Sequence, residues 1–393
     1  MERNVRLTTR AREIEPFYAV QIYREALEVA ASGRATILCV GEPDFPTPRR
    51  VVRAAMEAVE RGETHYTAAL GIAPLRDALS RHYLARYGVP VPPSRIAVTC
   101  GASGALTLVF GVLANPGDEV LMADPTYPSN RAFLTYCGAQ TCMIPVGPAE
   151  HFQLTPELVE RHWGPRTIGV MLASPANPTG LCVADDTLRA IHAVVQRRGG
   201  VLIVDEIYHG LTYGTDPMTA AALGDDVFVV NSFSKYYCMT GWRLGWLVAP
   251  AACMDAIERL QGQLFICPPA PSQWAGLEAL EPANRETFEA NRVELQRRRD
   301  FIVPALRANG FEVASTPDGA FYVYANVSAY TADSWSFCRE LLQATGIALT
   351  PGRDFGRHRA EEHVRLSFTQ PIPVLQQAVQ ELERFARARQ VPS

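Results

Sequence analysis

From about residue 47 to residue 280, short apolar runs rich in β-branched residues alternate with longer stretches whose apolar positions recur every three or four residues. That alternation is the pattern of a parallel sheet wrapped by helices. The first helical stretch is "TPRRVVRAAMEAVERG": Thr47 is placed to cap it, Pro48 suits its first turn, Val51, Val52, Ala55 and Val59 form one stripe, and Gly62 ends it. Strands are expected at "RIAVT", "EVLMA", "TIGVMLAS", "GVLIVDE", "VFVVNSFS" and "RLGWLVA". Several are apolar throughout, as strands covered on both faces should be.

Beyond residue 280 the rhythm changes. "FEVAST", "GAFYVYANV" and "HVRLSFT" read as strands, and "SWSFCRELLQATG" and "PVLQQAVQELERFARA" read as helices between and after them. This is the pattern of an α+β unit, completed by the N-terminal segment. A helical stretch near 281–308, rich in Glu and Arg, links the two parts. No internal repeat or low-complexity tract interrupts the chain.

Composition narrows the field. A chain of 393 residues exceeds what one hydrophobic core usually serves, so two domains are expected. A hydrophobic content of 48% with 20% charged residues is that of an ordinary globular enzyme. The net charge of -4 and pI near 6.1 supply no electrostatic attraction toward nucleic acid or an anionic membrane. The nine cysteines are scattered and never form Cys-x-x-Cys, which points to thiols in a reducing cytoplasm rather than to disulfides or a zinc ribbon. The charged N-terminus has no apolar leader, and no apolar run is long enough to span a bilayer.

One residue stands apart from this ordinary background. Lys235, in "NSFSKYYCMTGWRLGW", is the sole lysine in the chain, all 36 other Lys/Arg positions being arginine. A guanidinium stays protonated, whereas a lysine amine can lose its proton and condense with a carbonyl to form a Schiff base. Ligands in open α/β sheets collect beyond the carboxyl ends of the strands. Asp205 ends "GVLIVDE", Lys235 lies just past "VFVVNSFS", and Arg243 follows eight residues later. Such a set suits an aldehyde cofactor with a ring nitrogen and a phosphate, and pyridoxal 5'-phosphate has all three. An ionised Asp205 would keep the pyridine nitrogen protonated, so that the ring accepts electrons when a bound amino acid loses its α-proton. "TCGASGAL", after "RIAVT", offers the backbone N–H groups of Ala102, Ser103 and Gly104 to the phosphate at a helix N-terminus, with Ser232, Ser234 and Arg243 completing the cradle.

In chain order, "VGEPDFPTP", "HYTAALGIAPLR", "GASGAL", "DPTYP", "SPANPTG", "VDEIY", "SFSK", "GWRLGW", "GAFYV" and "HVRLSF" resemble the class I, fold type I pyridoxal-phosphate-dependent aminotransferases. The resemblance implies an α/β fold: a large cofactor-binding domain over 46–280, built on a mostly parallel seven-stranded sheet, and a smaller α+β domain from 1–45 and 281–393. It implies that Asn177 and Tyr208 hydrogen-bond the cofactor's 3'-oxygen, and that Tyr127 stacks on its ring. Arg365 would receive the substrate α-carboxylate, and Gly41 would close over the substrate. Tyr66 would reach the phosphate of a neighbouring subunit, giving a homodimer with shared sites. A cis bond at Ser174-Pro175 or Asn177-Pro178 would aim Asn177.

The activity implied is transfer of the amino group of an L-amino acid to a 2-oxo acid by a ping-pong route, Lys235 serving as both anchor and general base. The alternative on the same fold is a carbon–sulfur β-lyase, which also begins with loss of the α-proton. A ligand-sensing regulator would need an added DNA-binding domain, for which too few residues precede "VGEPDF". His358 and His363 lack the further ligands a metal site requires, so no metal is expected. The apolar, proline-rich "QGQLFICPPAPSQWAG" suggests a bulky or apolar substrate side chain.

Overall fold

The computed structural model describes residues 6–31 and 35–389. Residues 1–5, 32–34 and 390–393, all within the expected smaller unit, lie outside the described residues. Seven strands form the main sheet: β1 (Ile96–Thr99), β2 (Glu119–Asp124), β3 (Gln140–Pro145), β4 (Thr167–Ala173), β5 (Val201–Asp205), β6 (Val227–Ser232) and β7 (Gly245–Val248). Their order is β1-β7-β6-β5-β4-β2-β3. β7 runs antiparallel to both neighbours, and the other pairings are parallel. Six strands therefore point the same way, and the carboxyl ends of β1, β2, β4, β5 and β6 share one edge.

The central strands are apolar because helices cover both faces. Every residue of β6 is buried, and its Val and Phe side chains are divided between two apolar clusters on opposite sides of the sheet. Each fully buried side chain of this size contributes roughly 1.5–3 kcal/mol, which fixes the strand ends to which the polar groups are attached. The helix Gly101–Leu113, apolar nearly all round, lies within the core on one of these faces.

Three more strands form a second sheet: β8 (Tyr322–Asn326), β9 (Thr350–Pro351) and β10 (His363–Ser367), ordered β9-β10-β8 and antiparallel. The helices Tyr18–Ala30, Ser334–Thr345 and Ile372–Arg387 pack with it around a further apolar cluster. Thr36 and Ile37 pair in parallel with Ile347 and Ala348, tying the N-terminal segment to this part of the chain.

Two local expectations change, and one strand of the main sheet was not expected at its position. The first predicted helix begins at Arg49 with Pro48 at its cap; the Thr47 hydroxyl instead donates to the Cys238 carbonyl at 2.6 Å and accepts from the Trp242 indole at 3.0 Å. "FEVAST" forms only an isolated bridge between Glu312 and Asn326. β3 carries no clear sequence signal, because it is an edge strand whose exposed Gln140 and partly exposed Thr141 break the apolar run.

Candidate active site

At the shared carboxyl edge lies a cavity of about 380 Å³. The strand ends supply Asp205 from β5, Ala173 from β4 and, just past β6, Ser234 and Lys235. Loops and helix starts add Ala102, Ser103, Tyr127, Asn177, Tyr208 and Arg243. The second sheet contributes Tyr322 and Arg365, and the N-terminal segment contributes Gly41. The fold thus brings together eleven sequence-expected residues: Gly41, Ala102, Ser103, Tyr127, Asn177, Asp205, Tyr208, Ser234, Lys235, Arg243 and Arg365.

The Lys235 ammonium donates to the Gly41 carbonyl at 2.5 Å. Burial pushes its pKa down to about 8; Glu42 pulls it back up, and the positive charges of Arg365 and Arg243 push it lower. Burial raises the Asp205 carboxyl to about 6, against the Ile207 N–H donated at 3.1 Å and the charge of Lys235. An amine that readily sheds its proton therefore shares the cavity with a carboxylate whose ionised form has little compensation.

The Arg365 guanidinium is 3% exposed. It donates to Asn177 Oδ1 at 2.9 Å, to the Cys39 carbonyl at 2.6 Å and to Thr350 Oγ1 at 3.2 Å, while its Nε–H has no acceptor. It also lies over the Tyr322 ring, 4.4 Å from the centroid. Among the described residues no carboxylate pairs with it, nor with Arg243. Asp354 feels the charge of Arg365 from beyond ion-pair distance, so the buried guanidinium keeps room for a direct anionic contact.

Arg243, an exposed residue, presents a further cation to the cavity. It adopts a left-handed backbone with φ 52° and lies over Gly101, whose own φ is +71°. A methyl group on Gly101 would approach Arg243 Nη2 to 2.8 Å. The guanidinium is thus set at the start of the helix Gly101–Leu113, where free N–H groups and the helix dipole are already positive. Ser234 borders the same cavity, and its hydroxyl lies 2.8 Å from that of Ser232.

Three expected residues do not line the cavity. Gly104 is buried a turn farther into the helix. Ser232 acts behind Ser234, donating to the Leu244 carbonyl at 3.1 Å. Tyr66 is 83% exposed and stands outside the cavity of its own chain. "QGQLFICPPAPSQWAG" does not line it either; Pro269 and Ser272 border an adjacent cleft that shares Glu42 and Arg243 with the cavity.

Sequence reasoning missed Tyr322, whose hydroxyl lies 2.8 Å from that of Tyr208 and would collide with a methyl group on Gly41. Its motif, "GAFYV", was recognisable, but which tyrosine of β8 faces the cavity depends on the register with β10. The N-terminal wall of Phe17, Ala19, Val20 and Tyr23 was missed as well. Its only sequence signal is an amphipathic helical stripe. Both X-Pro bonds flanking Ala176, Ser174-Pro175 and Asn177-Pro178, are cis, as is Asp124-Pro125.

One cavity thus gathers a titratable amine, a buried carboxylate and two arginines, a set suited to chemistry on amine and carbonyl groups. Residues 34–382 match the family model for aminotransferase class I and II. The chain is 39% identical to a valine–pyruvate aminotransferase of Mycobacterium tuberculosis, over 94% of this chain and 96% of that protein. An aspartate/prephenate aminotransferase of Thermus thermophilus is 35% identical, over 97% and 98% of the two chains. A solved aminotransferase structure from Mycobacterium tuberculosis superposes with a TM-score of 0.94 at 38% identity, covering 98% of this chain and all (100%) of that one. The chain belongs to the class I and II aminotransferases, which are pyridoxal-phosphate-dependent transaminases. The seven-stranded, mostly parallel sheet with its small antiparallel companion matches the aspartate aminotransferase structures. Among the described residues no helix is long and apolar enough to cross a membrane, and no His, Cys, Asp and Glu cluster could hold a metal.

Proposed function

We propose that this aminotransferase uses Lys235 as both covalent anchor and proton carrier, exchanging an amino group between an L-amino acid and a 2-oxo acid in two separate stages. The carrying observation is that the chain's sole lysine shares one cavity with Asp205 and with two arginines that have no directly bonded carboxylate among the described residues. The residues fit pyridoxal phosphate: Arg243, Ser234 and the N–H groups at Ala102 and Ser103 for the phosphate, Asp205 for the ring nitrogen, Asn177 and Tyr208 for the 3'-oxygen, and Tyr127 for the ring face. When bound, the cofactor supplies an aldehyde that condenses with amines and a ring that takes up the electron pair left by a departing α-proton.

The protein's part is binding and proton movement. Arg365 holds the substrate α-carboxylate, and its bond to Asn177 links the carboxylate site to the cofactor site. Lys235 Nζ, once released as a free amine, takes the proton from the substrate α-carbon. Ser232 and Gly104 support the cradle from behind. Tyr66, exposed in one chain, is read as serving the site of a second copy, so the working form is a homodimer. Division into 46–280 and 1–45 with 281–393 belongs to the same reading, as does a cytoplasmic setting; the separate apolar cluster around the second sheet and nine unpaired cysteines support them.

Initial rates measured over a grid of amino-acid and 2-oxo-acid concentrations are expected to give parallel double-reciprocal lines. Intersecting lines, or pyruvate and ammonia released from a cysteine conjugate without any acceptor, would overturn two-stage transfer.

The lowered amine pKa has a direct consequence. Only a neutral amine adds to an aldehyde, so uptake of pyridoxal phosphate by cofactor-stripped protein should rise about tenfold per pH unit below about 8 and level off above it. Stopped-flow absorbance from pH 6 to 9.5 reads this directly; a profile still climbing steeply toward 10.5, the ordinary lysine value, would contradict it.

A further inference from the structure

Part of the cavity wall comes from the helix Tyr18–Ala30 and the residue before it. Phe17, Val20 and Tyr23 line the cavity, as do the apolar Leu106 and Phe133. Val20 is 41% exposed, a branched apolar side chain that the protein leaves uncovered beside the proposed chemistry. Phe17 also meets Tyr127 edge-on, with ring centroids 6.0 Å apart.

The helix that carries this wall has no capping side chain of its own, because its N-cap position is Phe17. Its first amides are instead satisfied from far along the chain: Tyr18 N–H and Ala19 N–H donate to the two Asp354 carboxylate oxygens at 2.7 and 2.6 Å. Asp354 is 2% exposed and follows β9, where Thr350 touches Arg365. Arg131 donates to the Asp354 carbonyl at 2.9 Å. One buried carboxylate thus fixes where the apolar wall stands relative to the arginine read as the α-carboxylate receptor.

The cations of the cavity wall are Lys235, Arg243 and Arg365, and the proposed function engages all three. Among the described residues of this chain that line it, none is left to pair with a carboxylate at the far end of a side chain, Glu42 would repel one, and Tyr66, read as reaching from a second copy, brings no cation. Resting on that reading, we propose that the wall of Phe17, Val20 and Tyr23, seated by Asp354, selects amino donors with large uncharged apolar side chains. Asp354 is then a positioning residue for specificity, acting through the helix and not through the reacting atoms.

The test is the rate at which the cofactor-loaded enzyme is converted by each amino acid alone, followed by absorbance. L-Leucine or L-phenylalanine is expected to exceed L-aspartate at least about 100-fold in kcat/KM, and to exceed L-alanine about tenfold or more. Val20→Arg, at an exposed position, should shift the leucine-to-aspartate ratio toward aspartate at least about tenfold. Asp354→Asn should raise KM for leucine at least about tenfold more than KM for alanine, a split that general loss of folded protein would not produce. Aspartate equal to or faster than leucine overturns the inference, as does an unchanged ratio in Val20→Arg, which decides the matter even if Asp354→Asn does not fold. Failure of every amino acid, alanine included, would instead remove the proposed function beneath it.

Discussion

Lys235→Ala is expected to lower kcat/KM for amino transfer by at least about 10⁴-fold while leaving the fold intact. The size follows from the two tasks lost together, since a positioned general base alone contributes roughly 10²–10⁴-fold and the covalent anchor adds to it. The fold should survive because Lys235 is only partly buried and its one hydrogen bond goes to the Gly41 carbonyl. Lys235→Arg should be as inactive: its charge is kept, but a guanidinium does not give up its proton at working pH. Circular dichroism checks the fold, and borohydride reduction followed by peptide mass analysis checks the anchor. Wild-type protein should carry the cofactor on the peptide containing Lys235, and neither variant should carry it there. Full turnover by the purified alanine variant would remove both assignments at once.

The same residue shows what was legible in the sequence. Lys235 announced itself through composition, and Asp205 through its place at the end of an apolar run; neither inference required tertiary contacts. The main sheet was legible for a related reason, since its buried central strands are apolar for most of their length and turn polar only at their carboxyl ends. β3 was not, because an edge strand is free to carry polar residues. Thr47 was assigned to the wrong partner because capping is a local rule, and the loop around Cys238 and Trp242 offered its hydroxyl stronger long-range bonds. Tyr322, Val20 and Asp354 lay beyond sequence reasoning altogether. Their roles depend on the second sheet meeting the first, and Asp354 reaches amides 335 and 336 residues away along the chain.

Asp205→Asn should reduce kcat by about 10³-fold, about 4 kcal/mol in barrier height, with a much smaller effect on cofactor retention. Asn preserves the shape of Asp205 and can still accept from the Ile207 N–H, so geometry at the end of β5 should be kept. What disappears is the negative charge. Burial works against that charge, lifting the carboxyl to about 6, and the protein offsets it only through Ile207 and Lys235. A protonated pyridine nitrogen would complete the compensation, and its own proton would in turn be held by the carboxylate. The neighbouring Glu206 cannot take over. It is 1% exposed and turned toward Thr219, whose hydroxyl donates to it at 2.9 Å, and toward the Ala220 N–H at 2.6 Å. Burial, with Asp205 adding to it, pushes its carboxyl up to about 8, against the hydrogen bonds from Ala220 and Thr219. Of two adjacent acids, only Asp205 faces the cavity, while Glu206 is engaged by Thr219 and Ala220. Because Lys235 and the phosphate cradle remain in Asp205→Asn, borohydride should still fix the cofactor to that lysine while single-turnover rates collapse. An asparagine variant that deprotonates its amino acid within tenfold of the wild-type rate would mean that the charge at residue 205 is not used in the reaction.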